Sequence, residues 1–239
     1  FMELEEKLMF EGWAKLPQFK KKVDQTKSII KQALAIAPAY VAVSWGKDSV
    51  VMLHLCQQIK PDIIAVNYGS PEQDIVDNYS EVINNYCQRF LTNYKELIGK
   101  PEWADDPDTV QDRCNQILEG KQTLAFVGLR AEESKNRKRS LIKNGLIHQY
   151  KSGKYAGYYR VCPLGWWGWK DIWSYTISNN LPYLNSYDYK DRELGRTNAH
   201  ARYWFSANSE KQVGDGKLDL VKKYNFPLFN LLQSEGFYD

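Results

Sequence analysis

The chain has 239 residues, and 32 Lys and Arg against 29 Asp and Glu leave a net charge of +3, with 26% charged and 43% hydrophobic residues. That balance excludes a disordered chain and a polycation that grips nucleic acid by bulk charge, and the length suits one large α/β domain or one domain with appendages. Aromatics are the unusual part: 8 Trp, 16 Tyr and 9 Phe are more than a core of this size is expected to bury, so many are expected to line a groove or an interface.

Residues 3–36 place Leu8, Phe10, Trp13, Leu16, Val23, Ile29, Ile30 and Leu34 at helical spacing broken at Pro17, which predicts two helices forming an N-terminal extension over residues 2–36. The period then changes. Tyr40 to Val43 reads as a short buried strand, Ser44 to Ser49 as a tight loop, and Val50 to Cys56 as a helix. Asp62 to Tyr68 reads as a second buried strand, closing a βαβ unit with a crossover long enough for parallel pairing. Pro71 to Phe90 reads as a helix, Tyr94 to Ile98 as a strand, residues 101–112 as an acidic loop and Val110 to Leu118 as a short helix.

Thr123 to Arg130 is again an apolar strand, now ending in glycine and arginine with a polar helix behind it. Gly153 and Gly157 inside the Tyr- and Lys-rich stretch from Leu146 to Val161 predict a hairpin, Asp171 to Asn180 a helix, and Leu218 to Tyr224 a last helix. The predicted fold is α/β, a twisted parallel sheet with helices on both faces. It occupies residues 37–190, with a mixed C-terminal region over 191–239. In such a sheet ligands sit at the carboxyl ends of the strands.

Ser44-x-Gly46-x-Asp48-Ser49 falls at such an end. Backbone amides and a positive helix terminus converge there, Ser44, Ser49 and Lys47 add donors, and an anion of high charge is the expected guest. The nucleoside-triphosphate P-loop is excluded, since its Gly-x4-Gly-Lys-Ser/Thr pattern needs glycine at Val41 and a hydroxyl at Asp48. The competing reading of the loop alone is a strand-to-helix turn with a hydroxyl cap and no ligand.

Taken together, Val41-Ala42-Val43-Ser44-Trp45-Gly46-Lys47-Asp48-Ser49 resembles the PP-loop of the adenine-nucleotide α-hydrolase superfamily, in the form found in phosphoadenosine-phosphosulfate (PAPS) reductase-like proteins. Gly128-Leu129-Arg130 with Glu133, Ser134 and Arg137 is similar to that family's Gly-Leu-Arg-x-x-Glu-Ser-x-x-Arg segment. The run from Val161-Cys162-Pro163 through Trp169, Asp171, Trp173 and Leu181-Pro182-Tyr183 resembles a third family block. The resemblance implies a Rossmann-like fold that binds ATP or a phosphosulfate nucleotide, with adenine against the Val43 and Val66 strand ends.

By this resemblance Val43, Ser44, Gly46, Lys47, Asp48, Ser49, Val66, Gly128, Arg130, Glu133 and Arg137 are the nucleotide-binding candidates. Lys47 and the loop amides would stabilise departing pyrophosphate, and Arg130 would meet a phosphate with its planar fork. Gly128 would let the backbone approach the nucleotide. Asp48 is the candidate ligand for Mg²⁺, with capping of the following helix as the rival role. For Glu133 and Arg137 the alternative is a salt bridge at an exposed helix start.

A PAPS reductase of this family carries a catalytic cysteine in a Glu-Cys-Gly-type tail, whereas this sequence ends Gly236-Phe237-Tyr238-Asp239 with no cysteine beyond Cys162. The expectation is therefore an ATP pyrophosphatase that adenylates a nucleic acid oxygen for sulfur insertion, resembling the enzymes of DNA phosphorothioation systems, with a cysteine desulfurase as sulfur donor. The alternatives are a sulfate-assimilation enzyme of the PAPS reductase or sulfurylase kind, and a non-catalytic module that senses adenine nucleotide.

Cys56, Cys87, Cys114 and Cys162 form no Cys-x-x-Cys pair, which argues against a zinc ribbon or a local cluster motif. Cys162 is the candidate sulfur relay, against the reading that it is a small buried hydrophobe. Lys135, Arg137, Lys138, Arg139 and Lys143, with Lys20 to Lys22, Lys190, Arg192, Arg196 and Arg202, are candidates for tracking nucleic acid phosphates, DNA favoured, or simply solvated surface. Trp166, Trp167, Trp169 and Trp173 are expected at a domain contact or in a homodimer interface. No run nears the roughly 18 apolar residues of a membrane span and the opening segment is acidic, so a cytoplasmic protein is expected, with no membrane partner.

Overall fold

The computed structural model describes residues 2–69, 77–98, 118–188, 222 and 226–234. In chain order these hold α1 (Leu4–Lys15), α2 (Pro17–Leu34), β1 (Ala39–Ala42), α3 (Lys47–Gln57), β2 (Ile64–Gly69), α4 (Tyr79–Phe90), β3 (Tyr94–Ile98) and β4 (Leu124–Val127). There follow a 3₁₀ turn (Ala131–Glu133), α5 (Lys135–Asn144), β5 (Ile147–Gln149), β6 (Tyr159–Val161), α6 (Trp169–Ser178), a second 3₁₀ turn (Asn185–Asp188) and α7 (Phe226–Ser234). No described helix is long and apolar enough to cross a membrane.

The six strands form one sheet in the order β3-β2-β1-β4-β6-β5, parallel except for β5, which pairs antiparallel with β6 as the other arm of the expected hairpin. From β1 the chain first steps outward to β2 and β3, and returns to place β4 on the other side of β1. The order therefore reverses between β1 and β4. At such a reversal the loops leave the sheet on opposite sides and open a crevice at the carboxyl ends of the two strands. Both leading motifs lie there, Ser44 to Ser49 after β1 and Gly128 to Arg130 after β4.

α3 is buried along its whole length, from Lys47 to Gln57. It starts three residues before the expected Val50, so Lys47, Asp48 and Ser49 form its first turn rather than a loop. A helix this apolar all round needs cover on every side, and α6 and the sheet provide it together with α2. α4 starts at Tyr79 rather than Pro71; of the expected earlier part, residues 70–76 lie outside the described residues. Asp77 and Asn78 stay out of the helix because their short polar side chains bond to backbone instead. Asp77 Oδ1 accepts from the Asn78 amide, and both its oxygens accept from amides of the second 3₁₀ turn, Asn185 at 3.1 Å and Ser186 at 3.1 Å.

Part of the aromatic surplus goes into the interior, among the described residues. Trp45 and Trp173 are wholly buried, as are Tyr86 and, to within a few percent, Tyr40, Trp167 and Tyr187. Phe10 of α1 packs on Trp169 and Trp173, and Phe19 of α2 packs edge-on against Trp167. The tryptophan run is thus the clasp that joins the N-terminal helices to α6; only Trp166 among these four is exposed. Asp171 locks it, accepting from Trp13 Nε1 (3.0 Å), Lys22 Nζ (2.5 Å) and the Gly168 amide (2.8 Å). The helix expected at 218–224 and the one at 110–118 lie almost entirely outside the described residues.

Between α3 and α6 lies His54, its Nδ1 3.0 Å from Tyr175 Oη. Burial first, then the positive Lys27 and Arg89, pushes its pKa down to about 4 from 6.5. Between these two values the unfolded chain binds a proton that the folded chain refuses, so stability falls as pH drops from 6.5 towards 4, by up to about 3 kcal/mol. Urea midpoints at pH 7 and pH 4.5 test this: His54→Gln is expected to lose less stability over the interval than the parent.

Candidate functional site

Three fully or nearly buried ionic side chains meet in the β1/β4 crevice. Asp48 sits between two cations, with Oδ2 2.8 Å from Lys47 Nζ and Oδ1 2.5 Å from Arg130 Nε. Both cationic side chains are 0% exposed. Burial alone would raise the Asp48 pKa, but Lys47 and Arg130 outweigh it and hold the carboxyl below its ordinary range. Asp48 is therefore a carboxylate at neutral pH, serving as the counter-charge for two positive groups.

Arg130 is oriented from the other side by Glu132, whose Oε2 accepts from Nη1 at 2.6 Å and also from the Trp169 amide at the start of α6 (2.6 Å). The third guanidinium nitrogen, Nη2, is buried with no hydrogen-bond partner. Lys47 Nζ lies over the ring of Tyr187, 5.2 Å from its centroid, and the Lys47 amide donates to Tyr187 Oη at 3.4 Å. The Asp48 and Ser49 amides, also in the first turn of α3, meet no acceptor among the described residues. An unpartnered arginine nitrogen, a buried lysine and two uncommitted helix-terminal amides are the donor set of an anion site.

The loop that carries these groups is held in an unusual backbone conformation. Trp45 is in the left-handed region at φ 56 although it is not glycine, a conformation that costs an L-residue about 1–2 kcal/mol. Its side chain offsets that cost: it is wholly buried, meets Tyr86 and Tyr94 edge-on, and lies with Nε1 3.3 Å from Tyr94 Oη. Ser49 Oγ then pins the loop, donating to the Gly46 carbonyl at 2.9 Å and accepting from the Ser44 amide at 3.2 Å. Val43, buried, extends the β1–β2 ladder through its amide to the Val66 carbonyl (2.9 Å).

Several of the expected site residues also have partners within the protein. The Ser49 hydroxyl is committed to the loop itself, while Ser44 is exposed. Gly128 packs closely on protein: a Cβ there would lie 2.9 Å from the Asp48 carbonyl carbon and 2.9 Å from the Ser49 nitrogen. These are backbone atoms of a buried helix turn, so Gly128→Ala is expected to cost about 1–3 kcal/mol by overpacking. It should also displace the first turn of α3, and thermal melting with a nucleotide titration would detect both effects. Glu133 and Arg137 pair with each other, and Glu133 Oε2 also accepts from the Arg130 amide at 3.0 Å. They shape the turn that presents Arg130.

Asp48 as placed does not fit a metal ion. Both its oxygens take donors from cations, and a divalent ion would add a third positive centre beside them. Among the described residues no group of three or more His, Cys, Asp or Glu is placed to hold one. Cys162 is buried near the end of β6 and its thiol is pushed up to about 11, chiefly by burial. It is a neutral thiol as it stands. Cys56 is a core residue and Cys114 lies outside the described residues.

Tyr187, Glu132 and Trp45 are the site residues that sequence reasoning missed. Only Trp45 carried a signal, as the aromatic member of the loop motif.

The phosphoadenosine phosphosulfate reductase domain model matches residues 38–201. An adenosine 5'-phosphosulfate reductase from Bacillus cereus (strain Q1) is 28% identical over 209 residues, which cover 76% of this chain and 83% of the relative. The enzyme of that name from Geobacillus thermodenitrificans (strain NG80-2) is 29% identical over 158 residues, 59% of this chain and 64% of the relative. Among solved structures, the U34-tRNA thiolase NcsA from Methanococcus maripaludis with its 4Fe-4S cluster superposes with a TM-score of 0.51 at 16% identity, over 90% of this chain and 78% of that one, a likeness of fold.

Proposed function

The chain belongs to the phosphoadenosine phosphosulfate reductase domain family, and from that premise we propose that it is an ATP pyrophosphatase that adenylates an acceptor oxygen. The acceptor, a carbonyl or phosphate oxygen of a nucleic acid with DNA favoured, attacks the α-phosphorus of ATP. The bond from that phosphorus to the bridging oxygen breaks, and pyrophosphate leaves with the electron pair. The terminal sulfur of a persulfide carried by a cysteine desulfurase then displaces AMP, and a thiol reductant cleaves the resulting disulfide, being itself oxidised, so that one sulfur is left in place of oxygen.

One observation carries this reading: the orphaned Arg130 Nη2 beside a buried lysine and open helix amides. Charge that accumulates on departing pyrophosphate is stabilised by donors fixed in advance in a site with little water. In the nucleotide-free arrangement Asp48 occupies Lys47 and Arg130. A phosphate entering the crevice exchanges one counter-charge for another, so the two cations need not be desolvated anew.

The test is label transfer. With α-labelled ATP, magnesium and an oligonucleotide, label is expected on the oligonucleotide, and γ-labelled ATP should transfer none. Label arriving from the γ-position would contradict the proposal. A second reading, reduction of a phosphosulfate nucleotide, is favoured by the 28% identity to a protein named adenosine 5'-phosphosulfate reductase. Sulfite release from adenosine 5'-phosphosulfate with a dithiol reductant, in the absence of ATP, would select it.

A further inference from the structure

From Ser134 to Lys170 the sequence holds nine lysines and arginines and no aspartate or glutamate. Against a chain with nearly balanced charge, this is a concentrated positive region, and the fold places most of it on α5 and the adjoining β5–β6 hairpin. α5 presents Lys135, Lys138, Arg139 and Lys143 to solvent, and the connection between β5 and β6 presents Lys151 and Lys154. Lys135, Lys138, Arg139, Lys143 and Lys151 form no ion pair among the described residues.

The two elements are fastened together. Arg160 of β6 donates from Nη2 to Ser140 Oγ of α5 at 3.1 Å, and Leu141 of α5 and Leu146 just before β5 both crowd Gly165. The hairpin adds half-exposed rings: Tyr150 against His148 at 5.1 Å, and Tyr155 against Tyr158 at 6.2 Å with Lys154 over the Tyr155 ring. The positive field is felt locally, since burial together with Arg160 and Lys151 holds the His148 imidazole below its usual pKa. The face also begins next to the crevice, because α5 follows directly on the turn whose Glu132 holds Arg130.

Lone cations without rings suit any polyanion, and rings without cations suit a protein partner. The combination suits a flexible strand that offers phosphates at regular spacing and unpaired base faces. We propose that the α5 and β5–β6 face docks a single strand of nucleic acid, its phosphates along Lys138, Arg139, Lys143 and Lys151 and its bases against Tyr155 and Tyr158. Phosphates and base faces are common to both sugars, so single-stranded DNA and RNA bind alike and a duplex, whose bases are stacked inside, binds more weakly.

This rests on the nucleic acid acceptor proposed above, but binding is read without nucleotide, so loss of the adenylation reading would leave this result intact, and the reverse. Fluorescence anisotropy with a labelled oligo-dT and an oligo-U of equal length is the measurement. Lys138→Glu with Lys151→Glu is expected to weaken both by about tenfold or more and to flatten the salt dependence by at least about 1.4 in log–log slope. Tyr155→Ala is expected to weaken both about fivefold at constant slope, from the loss of a stacked base. ATP binding without oligonucleotide should be unchanged in these variants. Unchanged affinity in both, or equal displacement by polyglutamate at matched charge, would overturn the proposal.

Discussion

Asp48→Asn is expected to destabilise the protein by about 3–5 kcal/mol, the range seen when one partner of a buried ion pair is removed. The reason is geometric. Lys47 and Arg130 are both wholly buried and both rely on the same carboxylate, at 2.8 and 2.5 Å. Asparagine keeps the shape but removes the charge and turns an amide N–H₂ towards one of the cations, so two positive groups are left facing each other. Arg130 cannot relieve this by releasing its proton.

The same variant has a signature that a merely structural residue would lack. Pyrophosphate in the crevice supplies the missing negative charge, so it should raise the melting temperature of Asp48→Asn by more than it raises that of the parent. The pH dependence follows in sign. The Asp48 carboxyl is held below its ordinary value of 3.8, so its contribution is present above that value and is lost as pH falls below it towards the depressed folded value. Asp48→Asn should lack that acid limb. Equal stability of the two proteins in urea would show that the cations do not depend on this carboxylate.

Lys47→Ala is expected to lower turnover of ATP about 10²–10³-fold, the usual loss when one fixed donor to developing negative charge is removed. The fall should lie mainly in kcat, because the charge that Lys47 meets is largest on the leaving pyrophosphate. Folding is expected to survive, since Arg130 remains to pair with Asp48 and the Lys47 amide still reaches Tyr187. Lys47→Arg is not expected to rescue: the ammonium is enclosed between Asp48 and the Tyr187 ring, and a planar guanidinium has a different shape and reach. Turnover within threefold of the parent would show that the lysine does not face the reacting phosphates.

Much of this arrangement was legible in the sequence. The apolar runs at β1, β2 and β4 each end in polar or glycine-containing motifs, and that contrast alone places loops at the strand ends. The hairpin was legible from Gly153 and Gly157, which take positive φ in the connection between β5 and β6. What the sequence could not show is who partners whom. Asp48 and Arg130 are 82 residues apart in the chain and meet only because β4 returns beside β1.

Glu132 looked like the lesser of two adjacent glutamates. Its role as the link between Arg130 and the first amide of α6 depends on the packing of α6. Tyr187 had no local signal at all, because a single tyrosine after a Leu-Pro-Tyr segment has many uses until the Asp77 cap turns it towards Lys47. The aromatics divide between interior and surface for a related reason. Composition counts rings but not their depth, and the N-terminal helices bring enough extra interior to bury Trp167 and Trp173. Gly128, Ser49 and Glu133 also belong to the scaffold that presents Lys47, Arg130 and the amides of Asp48 and Ser49, a part that no local motif could show.

The central claim, that this cluster receives the phosphates of ATP and promotes cleavage next to the α-phosphorus, is tested most directly by product analysis. ATP, magnesium and an oligonucleotide are incubated with the purified chain, and the phosphorus-containing products are resolved by phosphorus NMR. Pyrophosphate matched by an equal amount of AMP carried on the oligonucleotide, both absent with Lys47→Ala, is the predicted result. ADP and orthophosphate as the products that depend on Lys47 would contradict it.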